Sequence, residues 1–230
     1  MSMTPCEANR TVQLVVAAMP IVRPDAPPGA TPSGKAAGGV KFRWFEGIER
    51  NLERSANQTR EMLGHLAVAL PNVRVHVHRA TNGFNHTQVI EHLLESRLPF
   101  HGLSAGGKRW GKLATFLTKV RALEAQLAFR WPWMLLLEDD LRIVPRYFWP
   151  FLHEACGIYN RSPQLSVLQL SRYAEAMLVS LDGAARLLER VRADGIFRSD
   201  DQQLLTKPMG AGHFREYSPS PPPPPSPSSS

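Results

Sequence analysis

Glu138, Asp139 and Asp140 follow one another directly after the apolar run Met134-Leu135-Leu136-Leu137. Three adjacent carboxylates repel one another and are costly to remove from water. A hard divalent cation resolves that repulsion. Magnesium or manganese takes oxygen ligands, commonly one or two protein carboxylates together with phosphate oxygens of a substrate. A cation held in this way neutralises charge that develops on a departing diphosphate. The same trio is compatible with a solvated acidic turn, and alone it does not choose between the two. Asp200 and Asp201 supply a second acidic pair. By itself this pair reads as a helix cap, and it gains chemical meaning if the chain folds it toward the first. His76 and His78 share the polar face of an alternating stretch, a spacing that could ligate a metal. The sequence offers no third ligand at a suitable spacing, so they are read as surface histidines.

Such groups act only where the fold holds them. Residues 133–137 form a continuous apolar run, as expected of a strand covered on both faces. The acidic run therefore leaves the sheet at the strand's carboxyl end, the edge at which open α/β sheets bind ligands. Residues 112–129 give the clearest helix: Leu113, Phe116, Leu117, Val120, Leu123 and Leu127 recur at steps of three and four and share one face. Residues 11–19 are a β-branched apolar run, read as a buried strand. Residues 72–80 set Val73, Val75 and Val77 against Arg74, His76 and His78, the pattern of a half-buried strand. Two more strands are predicted at 165–170 and 175–180. Helices are predicted over the second half of 45–70, over 87–95, over 147–158, and from Asp182 or Gly183 to Arg192 with Ala184, Leu187, Leu188 and Val191 inward. Alternation of strands and helices predicts an α/β domain with a mainly parallel central sheet.

Composition bounds the remaining possibilities. The 230 residues are 43% hydrophobic and 20% charged, as in ordinary globular domains, and enough for one domain with a sizeable core. The expected organisation is a flexible N-terminus over 1–10 and one domain over 11–217. Within it, 20–39 form a Pro-, Gly- and Ala-rich loop or insertion, and a disordered Pro/Ser tail covers 218–230. No apolar stretch is long enough to span a bilayer, so no transmembrane segment is expected. The net charge is +7, but the basic residues are scattered and no aromatic-rich basic motif accompanies them, so nucleic acid is not an expected partner. Cys6 and Cys156 are the two cysteines. They form no zinc motif and are read as reduced thiols in a cytosolic setting, and the absence of a recognisable signal peptide slightly favours the cytoplasm. Asn9, Asn57, Asn85 and Asn160 each begin an N-glycosylation acceptor pattern, which points to the secretory pathway instead. The sequence leaves localisation open.

Taken in order, these features resemble glycosyltransferase family 25, the group of lipopolysaccharide-type β-galactosyltransferases and collagen galactosyltransferase domains. Arg50-Asn51-Leu52-Glu53-Arg54-Ser55, with Arg60 after it, looks like the family's opening Asn-Leu-x-Arg-Ser stretch. Arg79-Ala80-Thr81-Asn82-Gly83 is similar to its Ala-x-Asp-Gly turn. Gly111 to Thr118 occupies the place of its Gly-Cys-x-x-Ser-His helix start, with Ala and Leu-Thr standing where the family has Cys and Ser-His. Leu137-Glu138-Asp139-Asp140 matches its Leu-Glu-Asp-Asp motif. Glu175 to Ala184, followed by Asp201, resembles its strand–helix Ala-Tyr-x-Ile-Ser-x-x-Gly-Ala and later Asp. The chain looks like a divergent member.

The resemblance implies a GT-A-like fold, a single Rossmann-type α/β/α sandwich with a mainly parallel central sheet. It implies a hexosyltransferase that moves sugar from a nucleotide-sugar donor, UDP-linked by expectation, to a hydroxyl on a glycan, lipid or protein. Mn2+ or Mg2+ would be the cofactor, held by Asp140 and Asp139. Glu138, Asp139, Lys112 and Gly111 would contact the donor, and Arg109 is a further phosphate candidate. Asp201 would be the general base, drawing the proton from the acceptor hydroxyl as the new bond forms. Two other readings stay open at this point. Clustered carboxylates on a basic protein also suit a metal-dependent nuclease or phosphohydrolase, and a transferase-like domain without catalysis would keep the same motifs.

Overall fold

In the computed structural model the described residues are 12–18, 59–68, 75–83, 85–102, 109–138, 141, 143–162, 165–170, 176–196, 204 and 214–216. They form a mixed α/β structure built on a six-stranded sheet. In chain order the elements are β1 (Val12–Ala18), a helical stretch α1 over 59–68, β2 (Val75–Arg79), α2 (His86–Ser96), α3 (Arg109–Ala128), β3 (Trp133–Glu138), α4 (Pro145–Arg161), β4 (Val167–Gln169), β5 (Ala176–Ser180), α5 (Leu181–Asp194) and β6 (Phe214–Glu216). The strands lie in the order β2-β1-β3-β5-β4-β6. β1 is parallel to β2 and β3, and β4 is parallel to β6, while β5 runs against both β3 and β4. None of the described helices is long and apolar enough to cross a membrane.

The α/β class expected from the sequence is present, and the sheet is mixed because of β5. Only residues 170–175 join β4 to β5. A parallel return needs a crossover of a dozen or more residues, whereas an antiparallel neighbour needs only a tight loop. β5 therefore reverses. Its residues Ala176 to Val179 are buried, because both its sides pair with strands and both its faces meet core.

Each face of the sheet carries its own apolar cluster, and strand alternation divides the residues between them. Met134 and Leu136 of β3 pack with Phe116, Leu117, Val120 and Leu123 of α3 and with Leu187, Leu188 and Val191 of α5. Leu135 and Leu137 pack on the other face with Met62 and Leu66 of α1 and with Leu152, Ala155 and Ile158 of α4. β3 thus belongs to both cores, as β4 and β5 do. Each of its four leucine-sized side chains contributes about 1.5–3 kcal/mol by leaving water.

Helix ends follow local chemistry that the apolar pattern alone did not reveal. Asn85 caps α2, its side chain accepting a hydrogen bond from the Gln88 backbone N–H at 3.0 Å. The asparagine of one acceptor pattern therefore has a capping role. Ser180 caps α5 in the same way through the Gly183 N–H. α3 stops where Arg130 adopts a left-handed φ of 53°, and the Trp131 N–H reaches back to Gln126 O at 3.0 Å. Pro145 opens α4, where its missing N–H costs nothing. Strand β6 carries no pattern that the sequence reading had singled out. Cys156 of α4 is buried and disulfide-bonded, in place of the reduced thiol expected, a state that persists in oxidising surroundings. Cys6, the expected flexible N-terminus, the 20–39 loop and the Pro/Ser tail lie outside the described residues.

Gly183 tests how tightly α5 seats on the sheet. A Cβ there would meet Ser166 O at 2.2 Å, whereas a Cβ on Gly64 of α1 would meet nothing within 4 Å. Gly183→Ala is expected to lower unfolding free energy by about 1–3 kcal/mol through overpacking. Gly64→Ala should raise it by up to about 1 kcal/mol through helix propensity. Urea denaturation of the two variants beside wild type measures both, and equal effects would contradict this account of the packing.

Candidate functional site

The strand order locates the edge to inspect. From β1 the chain adds β2 on one side and later adds β3 on the other. In open α/β sheets ligands bind outside the carboxyl ends of the strands at such a reversal. Here it falls between β1 and β3, and Glu138 is the last residue of β3, in register with Ala17 of β1. Asp139 and Asp140, which follow it, lie outside the described residues. Among the described residues no three His, Cys, Asp or Glu side chains converge to hold a metal.

Glu138 is held from within. Its Oε1 lies 2.5 Å from Lys119 Nζ, with the lysine side chain 1% exposed and the glutamate 23% exposed. Lys119 stands on the inward stripe of α3, three residues after Phe116 and four before Leu123. An ammonium in that position must be paired, because an isolated buried charge is far too costly. The sequence carries this signal as a charge interrupting an apolar stripe, less conspicuous than the charges at the helix start.

Those other charges sit elsewhere. Gly111 and Lys112 occupy the first turn of α3 and are exposed. Helical rise places Lys112 about 10 Å along the axis from Lys119, so α3 continues past the level at which β3 ends. This overhanging turn is braced by the loop after β2. A Cβ on Gly83 would lie 2.8 Å from Gly111 Cα, so glycine at 83 permits the two backbones to touch. His86 stacks on Trp110 beside them, with ring centroids 4.3 Å apart. The structure thus brings Glu138 to Lys119, and sets Gly111 and Lys112 apart on the projecting turn.

A polar layer fills the space between β2, α2 and the middle of α3. The Thr81 N–H donates to Thr118 Oγ1 at 2.9 Å, and that hydroxyl donates to Ala114 O at 2.7 Å. The Asn82 N–H donates to Gln88 Oε1 at 2.9 Å. His92 Nδ1 lies 2.8 Å from Thr81 Oγ1 and 3.3 Å from Arg121 Nη1. A guanidinium only donates, so Nδ1 accepts and His92 is neutral with its proton on Nε2. Its pKa is correspondingly lowered, by burial first and then by Arg121, against the opposing pull of Glu95 and Glu91.

His76 and His78 are not the surface residues expected. Both are half-buried, and His76 packs its ring against Trp131 at 4.9 Å. His78 shares a register row with Ala17 and Glu138. Val77, expected inside, is 57% exposed. Alternation predicts two faces without saying which is covered, and here the histidine face lies under α3. Burial, then Arg121, then His92 lower the pKa of His78 to about 4, and its Nε2 has no hydrogen-bond partner among the described residues.

Asp201 lies outside the described residues. α5 starts beside Trp133, since Trp133 and Ser180 are in register, and runs back along the sheet for about 20 Å. It ends at Gly195, after which the Ile196 N–H donates to Pro99 O at 2.6 Å and the His101 N–H to Ile196 O at 2.9 Å.

No family model and no curated protein sequence matches this chain.

The buried histidine makes a pH prediction. His78 has a folded-state value near 4 against the ordinary 6.5, so the unfolded chain takes up its proton first. Its contribution to stability is complete above pH 6.5 and is lost as pH falls toward about 4. Melting temperatures of wild type and His78→Leu, followed at constant ionic strength, should diverge in slope across that window, with the variant less acid-sensitive. Parallel curves would show that His78 titrates normally.

Proposed function

We propose that this chain is a metal-dependent glycosyltransferase of GT-A-like architecture, taking sugar from a nucleotide diphosphate donor to a hydroxyl acceptor. The observation that carries the reading is the position of Glu138. It ends a strand buried in both cores, on the carboxyl edge, at the reversal between β1 and β3, and Asp139-Asp140 continue directly from it. The resemblance of Leu137 to Asp140 to a Leu-Glu-Asp-Asp motif points the same way.

In this reading Asp140 and Asp139 hold Mn2+ or Mg2+. Carboxylate oxygens are the donors these hard ions prefer. When bound, the ion neutralises the diphosphate as it departs. The overhanging first turn of α3 presents Lys112 and the Gly111 backbone on the same side, where they meet donor phosphate. A helix N-terminus adds a favourable partial charge there. Asp201 serves the acceptor hydroxyl as base. UDP is the nucleotide expected, and the acceptor is a glycan, lipid or protein hydroxyl.

Differential scanning fluorimetry with UDP provides the test. With Mn2+ present and UDP near a hundred times its dissociation constant, the melting temperature should rise by about 5–10 °C. The rise should vanish when Mn2+ is withheld and in Asp140→Asn. Asp201→Asn should keep the shift and lose sugar transfer. A chain that gives no shift with any nucleoside diphosphate, or that cleaves polynucleotide with Mn2+ and no sugar donor, is not this enzyme.

A further inference from the structure

Arg121 lies on α3 one turn beyond Thr118, whose hydroxyl receives the Thr81 N–H, and it is half-buried. A guanidinium keeps its charge and only donates hydrogen bonds. Among the described residues it meets one acceptor, His92 Nδ1, at 3.3 Å from Nη1, and no carboxylate. That acceptor is a neutral imidazole, so it supplies a hydrogen bond and no opposite charge. A cation drawn partly out of water is costly until an anion meets it. Glu91 and Glu95 of α2 act on His92 through space, but neither is bonded to Arg121.

Two imidazoles flank this charge. Burial first and Arg121 next keep both His78 and His92 neutral, and Arg79 adds to the effect on His92. His78 Nε2 is buried and has no hydrogen-bond partner, a costly state for a ring nitrogen. His92 spends Nδ1 on Thr81 and Arg121, which leaves the N–H on Nε2 to donate. The guanidinium fork keeps most of its donors. A metal ion is repelled by Arg121, so these histidines do not form a cation site. An oxyanion meets every need at once. It neutralises the guanidinium, accepts from the His92 Nε2–H and gives the His78 nitrogen a partner. The three side chains come from β2, α2 and α3. Phosphate offers oxygens in several directions to such a set, whereas a carboxylate is flat and suits the guanidinium fork alone.

We propose that Arg121, with His92 and His78 beside it, forms a binding site for a phosphate group between α3, α2 and β2. This site stands apart from the acidic run and does not depend on the transferase reading. Its phosphate is either the free ion or a phosphoryl group on a larger molecule, since the same donors recognise both.

The experiment titrates inorganic phosphate into the full chain labelled with 15N at histidine, at constant ionic strength balanced with chloride. The His78 and His92 imidazole resonances, assigned with His78→Gln and His92→Gln, should shift together and saturate with one dissociation constant. Arg121→Gln should weaken binding by about tenfold or more, and Arg121→Lys, which keeps the charge without the fork, by about threefold. Glycerol phosphate, run beside inorganic phosphate, separates the two sources: tighter binding of the ester assigns the site to a phosphoryl group, and weaker binding assigns it to the free ion. Resonances that stay in place at the highest phosphate concentration overturn the proposal, as does an Arg121→Gln affinity equal to wild type or an equal response to acetate. Loss of binding in Lys112→Ala with Arg121→Gln unaffected also overturns it, by placing phosphate at the first turn of α3. Should Arg121→Gln fail to fold, the wild-type resonances and Arg121→Lys decide.

Discussion

β3, enclosed on both faces at the centre of the sheet, constrains everything around it. Its interior residues Met134 to Leu137 are enclosed on both faces, so no charge can stand among them without a partner. Polar chemistry is therefore displaced to the strand's end. Glu138 is the first position at which the chain emerges, and even there its side chain is drawn back to a buried ammonium. The Lys119–Glu138 pair ties α3 to β3 at one level. The position of that tie determines how much of α3 projects beyond the sheet, and hence where Gly111 and Lys112 stand. Removing Glu138 alone would take from a buried ammonium the carboxylate that it meets, and breaking a buried pair in this way is destabilising.

Much of this was legible from periodicity. The continuous run at 133–137 marked a doubly covered strand, and the three-and-four spacing marked α3, because burial on both faces or on one stripe leaves a direct imprint on residue type. The inward set of α5, Ala184, Leu187, Leu188 and Val191, is buried as its spacing indicated. The reversal of β5 was also available in principle, since the short link at 170–175 excludes a crossover. Harder to see was anything set by partners distant in sequence. The spacing that marked α3 as amphipathic does not say that Lys119, on its inward face, meets a carboxylate nineteen positions later. β6 has three residues, and its pairing with β4 depends on chain that is far away in sequence.

The histidines show the limit of alternation. His76 and His78 differ from Val75 and Val77 by one step, and period two separates them cleanly. Which pair lies inside depends on what each face meets. α3 and α2 bring Arg121 and His92 against the histidine side, a polar lining that suits imidazole rings. Val75 packs with the opposite cluster, while Val77 is left largely in solvent. Residue type predicted the wrong face because the covering layer is itself polar here. The lowered pKa of His78 follows from the same arrangement, since neutral imidazole is the only form that tolerates both burial and a neighbouring guanidinium.

The antiparallel strand strengthens the candidate edge. In a wholly parallel sheet each strand would send its chain away from the carboxyl edge through a helix. β5 instead begins there, with Ala176 opposite Leu137, and β4 ends there, with the Leu170 N–H donating to Ala176 O at 2.9 Å. The end of β3 is thus flanked on one side by the start of a strand and on the other by the end of β1. α5 is launched from the opposite edge by the same reversal and runs back along the sheet. This short hairpin therefore covers β3 on its second edge.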